Sequence, residues 1–172
     1  MDTVFYISSA VAIISTIMVI TRLHAVHALL YFIVSLLSAA LIFYTLGAPF
    51  VASLEVIIYA GAIMVLFIFA IMMLNLGPQL KEQEKRWINV KMWTGPIILS
   101  LILIGEMVYM LSVNSGYPVG TVTVGPKQVG ISLFTFYLLG VELASLLLLS
   151  GIIGAYHIGR RRTTDGHKDL ES

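Results

Sequence analysis

The chain has 172 residues, of which 59% are hydrophobic and 11% charged, with a formal net charge of +1. An ordinary soluble domain carries about 25% charged residues, so this composition excludes a soluble enzyme, a disordered tail and a nucleic-acid-binding module. The chain has no cysteine, which excludes disulfides and thiolate ligation of iron–sulfur clusters or zinc.

Five apolar stretches, at about 4–21, 26–46, 51–76, 95–113 and 131–158, meet the ~20 residues needed for one bilayer crossing. They predict an all-α membrane protein with a five-helix transmembrane domain over 1–158 and a polar tail over 159–172. The first stretch lacks a basic lead-in and the cleavage box of a signal peptide, so it reads as a retained anchor. Gly47, Ala48, Pro49 and Phe50 form a tight turn between spans 2 and 3. Pro78 ends span 3, and Gly95-Pro96 is read as the opening of span 4, where proline is tolerated. The stretch 81–93 mixes charges with Trp87, Ile88, Val90, Met92 and Trp93 and reads as a membrane-anchoring loop. Residues 114–130, rich in glycine and proline, predict a turn-rich loop with room for a small hairpin at 119–124.

Charge placement gives an orientation. Arg22 follows span 1, Lys81, Lys85, Arg86 and Lys91 follow span 3, and Arg160, Arg161, Arg162 and Lys168 follow span 5; only Lys127 lies on the other side. The positive-inside rule then predicts a periplasmic N-terminus and a cytoplasmic C-terminus.

Three glutamates, Glu55, Glu106 and Glu142, interrupt the apolar spans. An acidic residue at a helix centre costs about 2.5–3.5 kcal/mol on insertion scales. A carboxyl held there needs a partner or a water-filled cavity, and in its neutral form it carries a proton. With these boundaries Glu55 lies ~6 Å from the outer edge. Glu106 and Glu142 lie ~15–17 Å deep, near the midplane, where Ser145 is a candidate hydrogen-bond partner for Glu142. These are candidate proton-path residues, with a hydrogen-bonded helix interface as the alternative role.

In span 5, Gly140, Ala144, Gly151 and Ala155 form one smooth face suited to close helix packing. Glu142 lies on the opposite side of the helix, so this span is expected to meet helices of other chains. In span 3, Glu55 and Tyr59 share a face, and Ala60-Gly61-Ala62 removes side-chain bulk at mid-membrane. Those small residues suit plain packing or a locally altered helix, a defect often found at working sites. His24, His27 and His157 near the inner ends of spans read as interfacial histidines rather than haem ligands.

The string Glu55–Phe67, the Val26–Tyr31 start of span 2 and Gly140–Ser145 of span 5 resemble the subunit J family of bacterial proton-pumping NADH:quinone oxidoreductase, respiratory complex I. Mitochondrial NADH dehydrogenase chain 6 is similar. The resemblance covers nearly the whole chain. It implies a multi-pass protein of the bacterial inner membrane, packed beside subunits A, H, K and N with the quinone nearby but bound mainly by others. It also implies that the third helix carries a π-bulge around Tyr59 to Val65, whose rotation opens and closes a water path. Carried over, Tyr59 orients water, Gly61 permits the bulge and Val65 is an apolar gate. Glu55 and Glu142 match acidic positions of the family, whereas Glu106 does not.

The implied enzyme is the proton-translocating oxidoreductase as a whole. This chain has neither a dinucleotide fingerprint nor a phosphate-binding loop. No cofactor is therefore expected in it, and FMN and iron–sulfur clusters are expected in other subunits. Two alternatives are a purely structural subunit of the same arm and a free-standing proton-coupled transporter.

Overall fold

The computed structural model describes residues 2–22, 25–74, 90–113 and 123–160, with backbone alone at 90–92. The expected end of span 3 at Pro78, His24, most of the 81–93 loop, the 119–124 hairpin up to residue 122, and the basic tail beyond Arg160 lie outside the described residues. Every described element is helical: α1 Asp2–Thr21, α2 Ala25–Thr45, α3 Pro49–Leu54, a π-helical segment Glu55–Ile63, α4 Met64–Leu74, α5 Val90–Val113, α6 Pro126–Thr135 and α7 Leu138–Gly159. Five helices are long and apolar enough to cross a membrane: α1, α2, the composite helix Pro49–Leu74, Trp93–Ser112 within α5, and α7. The protein is a multi-pass helical membrane protein.

Two compact units divide the chain, Met1–Gly125 and Pro126–Ser172. In the first, α2 is the central helix, touching α1, the composite third helix and α5. Its buried residues His27, Tyr31, Val34 and Ser38 recur at helical spacing, as do Val4, Ser8, Val11 and Ser15 on α1. Apolar burial gives little drive for helix association within lipid, so small side chains that let backbones approach hold such seams. Here Ser8, Ser15 and Ser38 are the most deeply buried side chains. Val11, Val34 and Leu103 close the core where α1, α2 and α5 meet, flanked by Leu37, Leu41 and Leu99.

The α2–α3 turn forms as its glycine and proline suggest, and its hydrogen bonds identify it. The Gly47 N–H donates to Tyr44 O at 3.1 Å and the Ala48 N–H to Phe43 O at 3.0 Å, the paired bonds of a Schellman cap. Gly47 sits at φ 82°, a left-handed conformation that a Cβ disfavours. Its carbonyl accepts the Val124 N–H at 2.9 Å, pinning the segment before α6.

Two predicted boundaries need correction. Span 4 does not open at Gly95-Pro96: α5 begins at Val90 and Pro96 lies inside it. Proline there cannot donate to the carbonyl one turn earlier. Gly95 has a packing role, because a Cβ on it would overlap the Tyr31 hydroxyl of α2.

Span 5 is not one helix from 131 to 158. Residues 126–130, read as loop, begin α6, and the helix breaks at Phe136 and Tyr137. Both of their N–H groups donate to Ser132 O, at 3.0 and 3.1 Å, which ends the hydrogen-bond ladder before α7 restarts at Leu138.

Candidate functional site

The third helix is the only described element that leaves α-helical geometry, and it does so over Glu55–Ile63. The segment enters and leaves smoothly. The Glu55 N–H is shared between the carbonyls of Ala52 and Val51, and the Met64 N–H between those of Gly61 and Tyr59. Within it a Cβ on Gly61 would stand 3.1 Å from Val56 O, the carbonyl five residues earlier. That is the partner offset of a π turn, and the approach is closer than a Cβ makes without the carbonyl giving way by a few tenths of an ångström. The residues by themselves single out Gly61 through its lack of bulk, and only the family resemblance implied a π-bulge here.

The observed segment differs from the Tyr59–Val65 position that the resemblance implies. It starts earlier, ends at Ile63, and leaves Val65 in α4. Glu55 opens it and is partly buried, whereas Tyr59 and Val65 are about half exposed on the surface of their unit. The wider turn rotates everything after Ile63 relative to an α-helical wheel. Glu55, Tyr59 and Gly61 thus share the segment, and Val65 lies one turn beyond.

The other two glutamates lie off the centres of their helices. Because α7 restarts at Leu138, Glu142 lies only ~6 Å along its helix, and it is exposed. The expected Ser145 bond to its carboxyl does not form; the Ser145 hydroxyl donates to the Glu142 backbone carbonyl at 2.8 Å. Gly140 and Gly151 on the small-residue face of α7 meet no atom within 4 Å of an added Cβ. With α5 running from Val90 to Val113, Glu106 lies ~10 Å from the helix end.

Glu106 is the buried carboxylate among the described residues, at 7% exposure. Ser8 Oγ of α1 donates to its Oε2 at 2.7 Å, and Ser38 Oγ of α2 donates to the Ser8 carbonyl at 3.0 Å. Glu106 therefore ties three helices together. Sequence reasoning found it as a membrane glutamate but missed Ser8, whose only sequence signal is its place in the repeating seam of α1.

At the other end of α1 and α5, Arg22 lies over the Tyr31 ring at 5.4 Å from its centroid. His27 is buried within its unit, and its ring meets Trp93 edge-on at 6.3 Å. His157 is exposed.

Residues 15–158 match the family model described as NADH-ubiquinone/plastoquinone oxidoreductase chain 6. The chain is 52% identical to the NADH-quinone oxidoreductase subunit J of Pseudomonas aeruginosa PAO1, over 94% of this chain and 98% of that protein. It is also 52% identical to subunit J of Escherichia coli K12, over 93% of this chain and 87% of that protein. The subunit J of Buchnera aphidicola from Acyrthosiphon pisum is 46% identical, over 99% and 100% of the two chains. With five membrane-spanning helices and a match across nearly its full length, the chain belongs to the NADH-ubiquinone/plastoquinone oxidoreductase chain 6 family.

Proposed function

We propose that this chain is the subunit J of a proton-translocating NADH:quinone oxidoreductase in a bacterial inner membrane. In this reading it couples quinone reduction to proton movement through its third helix. The observation that carries the coupling role is the π-helical stretch Glu55–Ile63, which holds Glu55, Tyr59 and Gly61 together. A π turn stores one residue more than an α turn, so returning it to α geometry rotates the rest of the helix without breaking the chain. Such a rotation would move Val65 relative to Glu55, alternately admitting and excluding water between carboxylates. Gly61 makes both states accessible, Tyr59 supplies a hydroxyl to orient that water, and Glu55 and Glu142 hold protons.

The energy comes from elsewhere. Moving one charge against 100 mV takes about 2.3 kcal/mol, and a chain without cysteine carries no clusters to supply it. FMN and iron–sulfur clusters belong to other subunits of the complex, as does the main quinone site. The neighbours in this reading are subunits A, H, K and N. The exposed apolar residues of α4 and α7 suit such neighbours and lipid. In this reading the basic loops face the cytoplasm, with the N-terminus periplasmic and the C-terminus cytoplasmic, as the positive-inside rule favours.

The test is to measure assembly and NADH-driven proton pumping on the same membranes, for Tyr59→Phe and Gly61→Leu. The coupling role expects pumping to fall well below the amount of assembled complex. A purely structural subunit would lose pumping only in proportion to assembly.

A further inference from the structure

Glu106 is outside the third helix and has no part in the coupling reading above. Its surroundings are those of an uncharged acid. Leu103 and Met110, both buried, bracket it one turn to either side on α5. A carboxylate offers about four acceptor sites, and an ionised one kept from water needs several donors or a cation. Glu106 has one donor, Ser8, while its Oε1 is buried with no hydrogen-bond partner. Ser38, the other polar side chain at this junction, is engaged with the Ser8 carbonyl.

We propose that Glu106 is a proton-binding site, a neutral carboxylic acid whose proton lies on Oε2 and is donated to Ser8 Oγ, joining α5 to α1. The 2.7 Å separation suits an O–H···O bond in either direction. In the neutral state Oε1 is a plain carbonyl oxygen, and one unmade acceptor bond is tolerable. No second polar group of the described residues reaches Oε1. The ligand is a proton, and its role is to hold an interhelical bond in the membrane.

The intact complex carrying Glu106→Gln or Glu106→Ala tests this. Glutamine keeps a donor for Ser8 and a carbonyl without charge. That complex is expected to assemble and pump as the unmodified one does, while Glu106→Ala lowers assembled complex by about threefold or more. Infrared difference spectra between the unmodified and Glu106→Gln complexes should contain a carboxylic-acid carbonyl band that shifts in deuterium oxide and in Ser8→Ala. The proposal is overturned if Glu106→Gln is as damaging as Glu106→Ala or assembles without pumping. It is equally overturned if the missing band is that of an ionised carboxylate.

Discussion

The carbonyl oxygen of Val56 stands 3.1 Å from the point where a Cβ on Gly61 would lie. The π turn is therefore easier to form with glycine than with a side chain at this position. A methyl group there forces the carbonyl back by a few tenths of an ångström, and a larger group forces the turn apart. Overpacking of this kind costs about 1–3 kcal/mol. Gly61→Ala should lower the rate of NADH-driven pumping modestly and Gly61→Val strongly, with quinone reduction and proton release measured together on vesicles. Equal, undiminished rates in both variants would separate the π turn from function.

Gly95 and Tyr31 give a prediction about packing alone. Since a Cβ at Gly95 overlaps the Tyr31 hydroxyl, Gly95→Ala should destabilise the α2–α5 contact by about 1–3 kcal/mol. Adding Tyr31→Phe removes the nearest obstructing atom but keeps the ring carbon at 3.0 Å, and should restore part of the loss. Thermal stability of the purified complex checks both, and a double variant no better than the single one would contradict the geometry.

Gly47 is held at φ 82° by the cap of α2. Gly47→Ala should cost about 1–2 kcal/mol from the left-handed backbone, and Gly47→Asn less. The ordering of the two variants in a thermal melt of the complex is the measurement.

Glu142 and Gly140 separate coupling from scaffolding. Glu142 is exposed on α7, and among the described residues nothing lies within 4 Å of a Cβ added at Gly140. Glu142→Gln should depress pumping per assembled complex, whereas Gly140→Leu, which adds bulk to the small-residue face of α7, should depress assembly itself. Native gels and pumping assays on one membrane preparation distinguish them.

Much of this arrangement was legible in the sequence. Lipid imposes helices on any long apolar run, so the five spanning helices and the Gly47–Pro49 turn follow from composition and punctuation. The π-helical stretch did not, because α and π turns use the same apolar residues and differ only in which carbonyl each N–H finds. The break at Phe136 and Tyr137 lacks glycine and proline, and two apolar aromatics look like the interior of a span. That break, in turn, sets Glu142 near the start of α7 rather than in mid-helix. Glu106 was visible as an anomaly, but its partner Ser8 is 98 residues away and carries no local mark of that pairing.

The central claim is that this chain works as one subunit of a redox-driven proton pump. An affinity tag on the chain, followed by gentle extraction of the membrane, tests it most directly by assaying flavin, iron and NADH:quinone activity in the purified material. The account predicts that all three are recovered in constant ratio to the tagged chain. Recovery of the chain alone, folded and homogeneous, with flavin, iron and activity left in another fraction, would contradict it.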